Sequence, residues 1–139
     1  MKEECHTLTK AYKITPVPKP RMTQSDKWRR REVVQRYWNF KDQCRELGVT
    51  IPDCNYHIVF VMPMPKSWPA WKREQNNGRP HLQTPDKDNL EKSLLDALFD
   101  NDCKVWDGRV SKIWGVEGGI IIHYDFRPVD LSFITMEDK

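Results

Sequence analysis

Hydrophobic residues recur at two different spacings along this chain, and the switching between them restricts it to a mixed helix-and-sheet architecture. From Asp26 to about Leu47 the apolar positions Val33, Val34, Tyr37, Trp38, Cys44 and Leu47 follow a helical period, with Ser25 or Asp26 able to cap the start and Gly48 a natural stop. Tyr56 to Met62 (YHIVFVM) is instead a short, continuous, β-branched apolar run between Pro52 and Pro63, which reads as a buried strand. Helical spacing returns at Leu90, Leu94, Ala97 and Leu98, with Leu95 beside them. Asp86 or Asp88 can cap that helix, which should end near Asp100. Val105 to Trp114 and Gly119 to Phe126 read as two further strands, joined through Val116 to Gly118 as a hairpin. Leu8 to Val17 alternates loosely and runs into Pro16, Pro18 and Pro20, the pattern of an edge strand followed by an extended, proline-stiffened loop.

One stretch has no period at all. Met64 to Thr84 mixes Pro65, Pro69, Pro80, Asn76, Asn77 and Gly78 with the basic Lys66, Lys72, Arg73 and Arg79. A loop of this length is uncommon in a compact domain unless it is functional or disordered, and its basic and aromatic content favours a mobile arm that contacts substrate. The element order β-α-β-loop-α-β-β then predicts an α+β fold, a single mixed β-sheet with two main helices packed on it. A chain of 139 residues suits one such domain over residues 1–139, with a tail after residue 128 that frays at its end.

Charge is more informative in its distribution than in its total of +3. Between Lys10 and Arg36 nine basic residues face only Asp26 and Glu32, the footprint of a phosphate-binding face, with a solvated helix surface as the plain alternative. Trp28, Trp68 and Trp71 lie among Lys, Arg and Pro, where a ring can belong to the core or stack on a base. Cys5, Cys44, Cys54 and Cys103 match neither a zinc pattern nor a disulfide framework and read as free thiols of a reducing compartment. No apolar stretch has signal-peptide or membrane-spanning length, so a cytoplasmic protein is expected.

The richest segment is TPDKDNLEKSLLDALFDNDCKVWDGRVSK, Thr84 to Lys112. Asp86 and Asp88 stand two apart at a helix entrance, and Asp102 follows the helix, where an antiparallel return of the chain could carry it back to them. Two or three carboxylates with open coordination positions suit a hard cation such as magnesium and leave room for a substrate phosphate. An acid before a helix also serves as a cap, but one cap needs one acid. Lys92, four residues after Asp88, can be a helical ion pair worth about 0.2 to 0.5 kcal/mol, or can neutralise charge developing on a phosphate. Asp96, on the same helix, reads as structural or solvated. A calcium loop fails, because Glu91 stands where the turn needs Gly in the first window and Ser111 where the bidentate Glu belongs in the second. Zinc fails because His6, His57, His81 and His123 are isolated from one another and from the cysteines.

These residues resemble a known family. Asp86, Asp88, Asn89, Leu90 and Lys92, then Asp96, Ala97 and Leu98, then Asn101 and Asp102, then Val105, Asp107, Arg109, Val110 and Lys112 follow the pattern of the RusA Holliday junction resolvases, many of them phage-encoded. Pro18, Lys19, Pro20, Arg21, Met22 and Thr23 look like the K-P-R loop of phage members. The resemblance spans roughly Pro16 to Arg127 and is dense from Thr84 to Lys112. It implies a magnesium-dependent endodeoxyribonuclease, with manganese able to take the place of magnesium and no small-molecule cofactor. Asp86, Asp88 and Asp102 would hold the metal and Lys92 would assist cleavage. It also implies a homodimer acting on four-way DNA junctions, with phosphate contacts expected from Lys19, Arg21, Lys27, Arg29, Arg30, Arg31, Lys72 and Arg73. Asn101 departs from the family, where an acid is common, and Asp100 offers a carboxylate beside it. The rival readings are a basic DNA-binding module without catalysis and a nuclease for flaps or other branched DNA.

Overall fold

A computed structural model describes residues 7–21, 32–52, 54–125 and 130–135. Its centre is strand β2 (Tyr56–Pro63), the apolar run between prolines. Because a strand presents alternate residues to opposite faces, Tyr56, Ile58, Phe60 and Met62 are buried, while His57, Val59 and Val61 on the other face are only partly covered. Two helices cover the buried face. Helix α1 (Glu32–Leu47) contributes Val34, Tyr37, Phe40 and Cys44, and the helix over Lys87–Leu98, called α3 below, contributes Leu90, Leu94 and Leu95. Fully burying each large apolar side chain of this kind is worth roughly 1.5–3 kcal/mol.

The helical periodicity of α1 is as read from the sequence, but its buried stripe is narrower. Val33, Trp38 and Leu47 lie exposed, and Phe40, absent from the expected apolar positions, is in the core. Gly48 ends the helix at φ 65°, a left-handed conformation that favours glycine. The amide of Val49 then closes on the carbonyl of Cys44 at 3.0 Å. The turns expected from Asp26 to Arg31 lie outside the described residues.

The sheet has four strands in the order β1-β4-β2-β3, with β1 over Thr7–Tyr12, β3 over Gly108–Gly115 and β4 over Gly119–Asp125. β1 pairs only with β4, as an edge strand should. The expected hairpin between the last two strands does not form. β3 runs parallel to β2, from Tyr56 opposite Gly108 to Pro63 opposite Gly115, while β4 runs antiparallel on the other side of β2. The link 116–118 therefore crosses the end of β2. Both edges of a buried strand need hydrogen-bond partners, and β2 takes one neighbour from each side of that link. A short connector alone cannot distinguish this crossing from a hairpin.

The arm is also more ordered than its sequence predicts. Helix α2 (Ala70–Asn76) follows Pro69 and buries no residue, so it leaves no apolar period to detect. Trp68 packs its ring on Trp114 at 4.8 Å between centroids, and His81 packs on the same indole at 4.3 Å. Beyond α2 the chain lies along the free edge of β3. Gly78 donates to Trp114 at 2.8 Å, Trp114 to Arg79 at 2.9 Å, and His81 to Lys112 at 3.1 Å. That contact covers an edge that would otherwise expose unpaired backbone groups. Among the described residues of the tail, Ser132–Thr135 form a short helix, α4, where the sequence had suggested no element.

Candidate acidic site and adjoining basic pocket

Helix α3 opens at an acid that does not behave as a cap. Asp86 occupies the N-cap position in extended conformation, yet its side chain makes no capping hydrogen bond. Its carboxylate and that of Asp88 in the first turn are exposed, as is Lys92 one turn further on. No capping hydrogen bond accounts for Asp86, although both acids stand where the positive end of the helix favours negative charge.

After α3 the chain enters a single 3-10 turn, Asp102–Lys104. Asn101 caps it, its side-chain oxygen accepting from the Cys103 amide at 3.1 Å. Asn101 thus has a local structural task where the family pattern often carries an acid, and Asp102 is left exposed. Tyr56, buried in the core, reaches α3 with its hydroxyl. It donates to Glu91 Oε2 at 2.5 Å. Burial, the Glu91 carboxylate, and then the charges of Asp107 and Asp102 raise the tyrosine pKa far above its ordinary range. Glu91, which holds that hydroxyl, is one turn from Asp88 on α3. Tyr56 and Glu91 were not singled out from the sequence, because a tyrosine in an apolar strand and a glutamate on a helix carry no signal until the two elements pack.

All these donors are carboxylate oxygens, the hard ligands that magnesium prefers. Among the described residues no three His, Cys, Asp or Glu side chains stand together closely enough to hold an ion as they are. The donor chemistry of Asp86, Asp88 and Asp102 suits a hard cation, but the described structure does not bring three such side chains to one point.

A basic pocket adjoins the acids. Lys19, Arg21 and Arg36 line a cavity of about 360 Å³ with Val17, Pro18, Pro20 and Val33, and Asn89 of α3 forms part of its wall. The proline-rich loop is thus brought to the residue that follows Asp88. Asp96 fixes that arrangement from behind. It accepts the Tyr37 hydroxyl of α1 and the Lys41 ammonium at 3.1 Å, and Lys19 reaches it at 3.7 Å. Asp96 is therefore structural.

The arm cations have structural neighbours as well. Lys72 sits over the Trp68 ring at 4.4 Å, and Arg73 donates to the Pro65 carbonyl at 2.9 Å. Lys27, Arg29, Arg30 and Arg31, with Trp28, lie outside the described residues.

Exposed carboxylates at a helix entrance, next to a proline-rimmed pocket of cations, are the surface chemistry of a protein that receives a phosphodiester backbone. The family model for the endodeoxyribonuclease RusA matches residues 12–124. The chain belongs to this family of Holliday junction endonucleases. A comparison with curated proteins found no match. Among the described residues no helix is long and apolar enough to cross a membrane.

Proposed function

We propose that the protein is a magnesium-dependent, structure-selective endodeoxyribonuclease that resolves four-way DNA junctions as a homodimer. The observation that carries the reading is the unused carboxylate of Asp86 at the entrance of α3. It stands with exposed Asp88 on a helix whose Asn89 forms part of the wall of the basic pocket. In this reading Asp86, Asp88 and Asp102 hold the ion, which supplies Lewis acidity towards a phosphoryl oxygen and lowers the pKa of a bound water. The protein's own contribution is orientation and charge. Lys19 and Arg21, with Lys27 and Arg29 to Arg31, bind backbone phosphates, and Lys92 balances negative charge that builds on the scissile group. Lys72 and Arg73 of the arm take a lesser part, since Trp68 and Pro65 already engage them. Two copies related by a twofold axis would present two such edges to the symmetric strands of a junction.

Nicking of a synthetic junction in magnesium tests the proposal. Asp88→Asn should lower the cleavage rate at least about 100-fold while leaving junction binding intact, in line with loss of a metal ligand. Undiminished cutting by that variant would remove Asp88 from the mechanism. A binding module without catalysis is the second reading, and the unassembled state of the carboxylates among the described residues is what favours it. Junction binding without any metal-dependent nicking by the wild-type protein would establish it. Equal-salt comparison of junction, flap and linear duplex sets the substrate.

A further inference from the structure

The three acids belong to two segments that are separate in sequence, and one side chain ties the first of them to β3, the strand that follows the second. Asp86 and Asp88 follow the strip of chain that lies along the free edge of β3. Asp102 precedes β3 by a short 3-10 turn and a three-residue link. The backbone ladder along that edge stops after His81 donates to the Lys112 carbonyl at 3.1 Å. Leu82, next along, is 86% exposed, so the chain has left the edge there. The following stretch is held by the Lys112 ammonium, which donates to the carbonyls of Gln83 and of Pro85, the latter at 2.7 Å. Lys112 is itself fixed in the sheet, opposite Phe60 of β2. Hydrogen bonds from an ionised donor are shorter and stronger than neutral ones. Pro85 is the residue before Asp86.

We propose that Lys112 is a positioning residue for the acidic site, its ammonium gripping the Gln83 and Pro85 carbonyls so that Asp86 and Asp88 are fixed relative to Asp102. The inference rests on the nuclease reading above. Lys112 touches neither metal nor substrate in this role. α3 itself should stay docked when the grip is lost, because Leu90 and Leu94 are buried in the core. Only the entrance of the helix loosens. The same ammonium offered directly to a DNA phosphate is the competing role, and it predicts a different defect.

The test compares wild type with Lys112→Met, which keeps the aliphatic stem, and with Lys112→Arg, which keeps the charge and the donors. In Lys112→Met, amide hydrogen exchange over residues 83–90 should rise about tenfold while α1 and β4 keep their protection, and Lys112→Arg should restore most of it. Junction cleavage by Lys112→Met should need about tenfold more magnesium for its half-maximal rate, with metal-free junction binding unchanged. Unaltered exchange over residues 83–90, or a wild-type magnesium requirement, overturns the proposal. Loss of metal-free binding with unaltered exchange also overturns it and assigns Lys112 to the DNA backbone. If Lys112→Met does not fold, Lys112→Gln, which retains one amide donor group, carries the same comparison. Absence of cleavage by wild type would sink the nuclease reading, while the exchange data still decide whether Lys112 holds the helix entrance.

Discussion

Gly108 is the position where one methyl group should do the most damage at the acidic site. A Cβ built there would lie 2.2 Å from Cε1 and 2.3 Å from Cζ of Tyr56. Carbon atoms in good contact stand about 3.5–4.0 Å apart, so the ring would have to move by more than an ångström. It has nowhere to go, since Tyr56 is 3% exposed and its hydroxyl is bonded to Glu91 at 2.5 Å. Overpacking of this kind costs about 1–3 kcal/mol, and loss of a hydrogen bond to a charged group about 1.5–3 kcal/mol. Glu91 is partly exposed, which favours the lower end of the second range. Replacing a strand glycine by alanine returns roughly 0.5–1 kcal/mol through the unfolded chain. The net expectation for Gly108→Ala is a loss of about 2–4 kcal/mol, or a melting temperature lower by roughly 10 °C for a chain of this size. Urea unfolding of Gly108→Ala, alone and in a Tyr56→Ala background, checks the cause. With the ring gone the alanine should cost almost nothing. A Gly108→Ala protein within about 0.5 kcal/mol of wild type, or a cost that persists in the Tyr56→Ala background, would refute the reasoning.

Three further outcomes are expected. Asp96→Ala removes the acceptor of the Tyr37 hydroxyl and the partner of Lys41 and Lys19. It should lower stability by about 1–3 kcal/mol, less than additively with Tyr37→Phe in a urea double-mutant cycle, because the two share one contact. Burial pushes the Cys44 thiol from 9.0 up to about 11. A raised folded pKa contributes its stability fully below pH 9 and loses it as pH climbs to 11, a contribution of about 3 kcal/mol. Unfolding free energy should therefore fall across that window. At pH 8 a disulfide reagent should modify exposed Cys103 quickly and Cys44 only at the rate of unfolding, as peptide mapping of the labelled thiols would reveal.

The elements whose cause is local were legible in the sequence. Periodic Val34, Tyr37 and Cys44 determine α1, Gly48 its end, the run from Tyr56 its central strand, and Leu90 with Leu94 the helix that carries Asp86 and Asp88. The local placement of the acids was legible too, Asp86 and Asp88 at a helix entrance and Asp102 after the helix, because it follows from the helical period alone. The partners of these elements were not legible. Whether β3 folds back on β4 or pairs in parallel with β2 depends on which strand edge is free once the helices have docked, and a three-residue link permits both. Helix α2 buries nothing and so imposes no period. The bond from Tyr56 to Glu91, the close approach of Gly108 and the Lys112 grip on Gln83 and Pro85 join residues 27 or more positions apart. Sequence spacing determines which face of an element is apolar, because that follows from the geometry of one backbone. Only the tertiary structure decides which polar groups meet, because that follows from how separate faces close against each other.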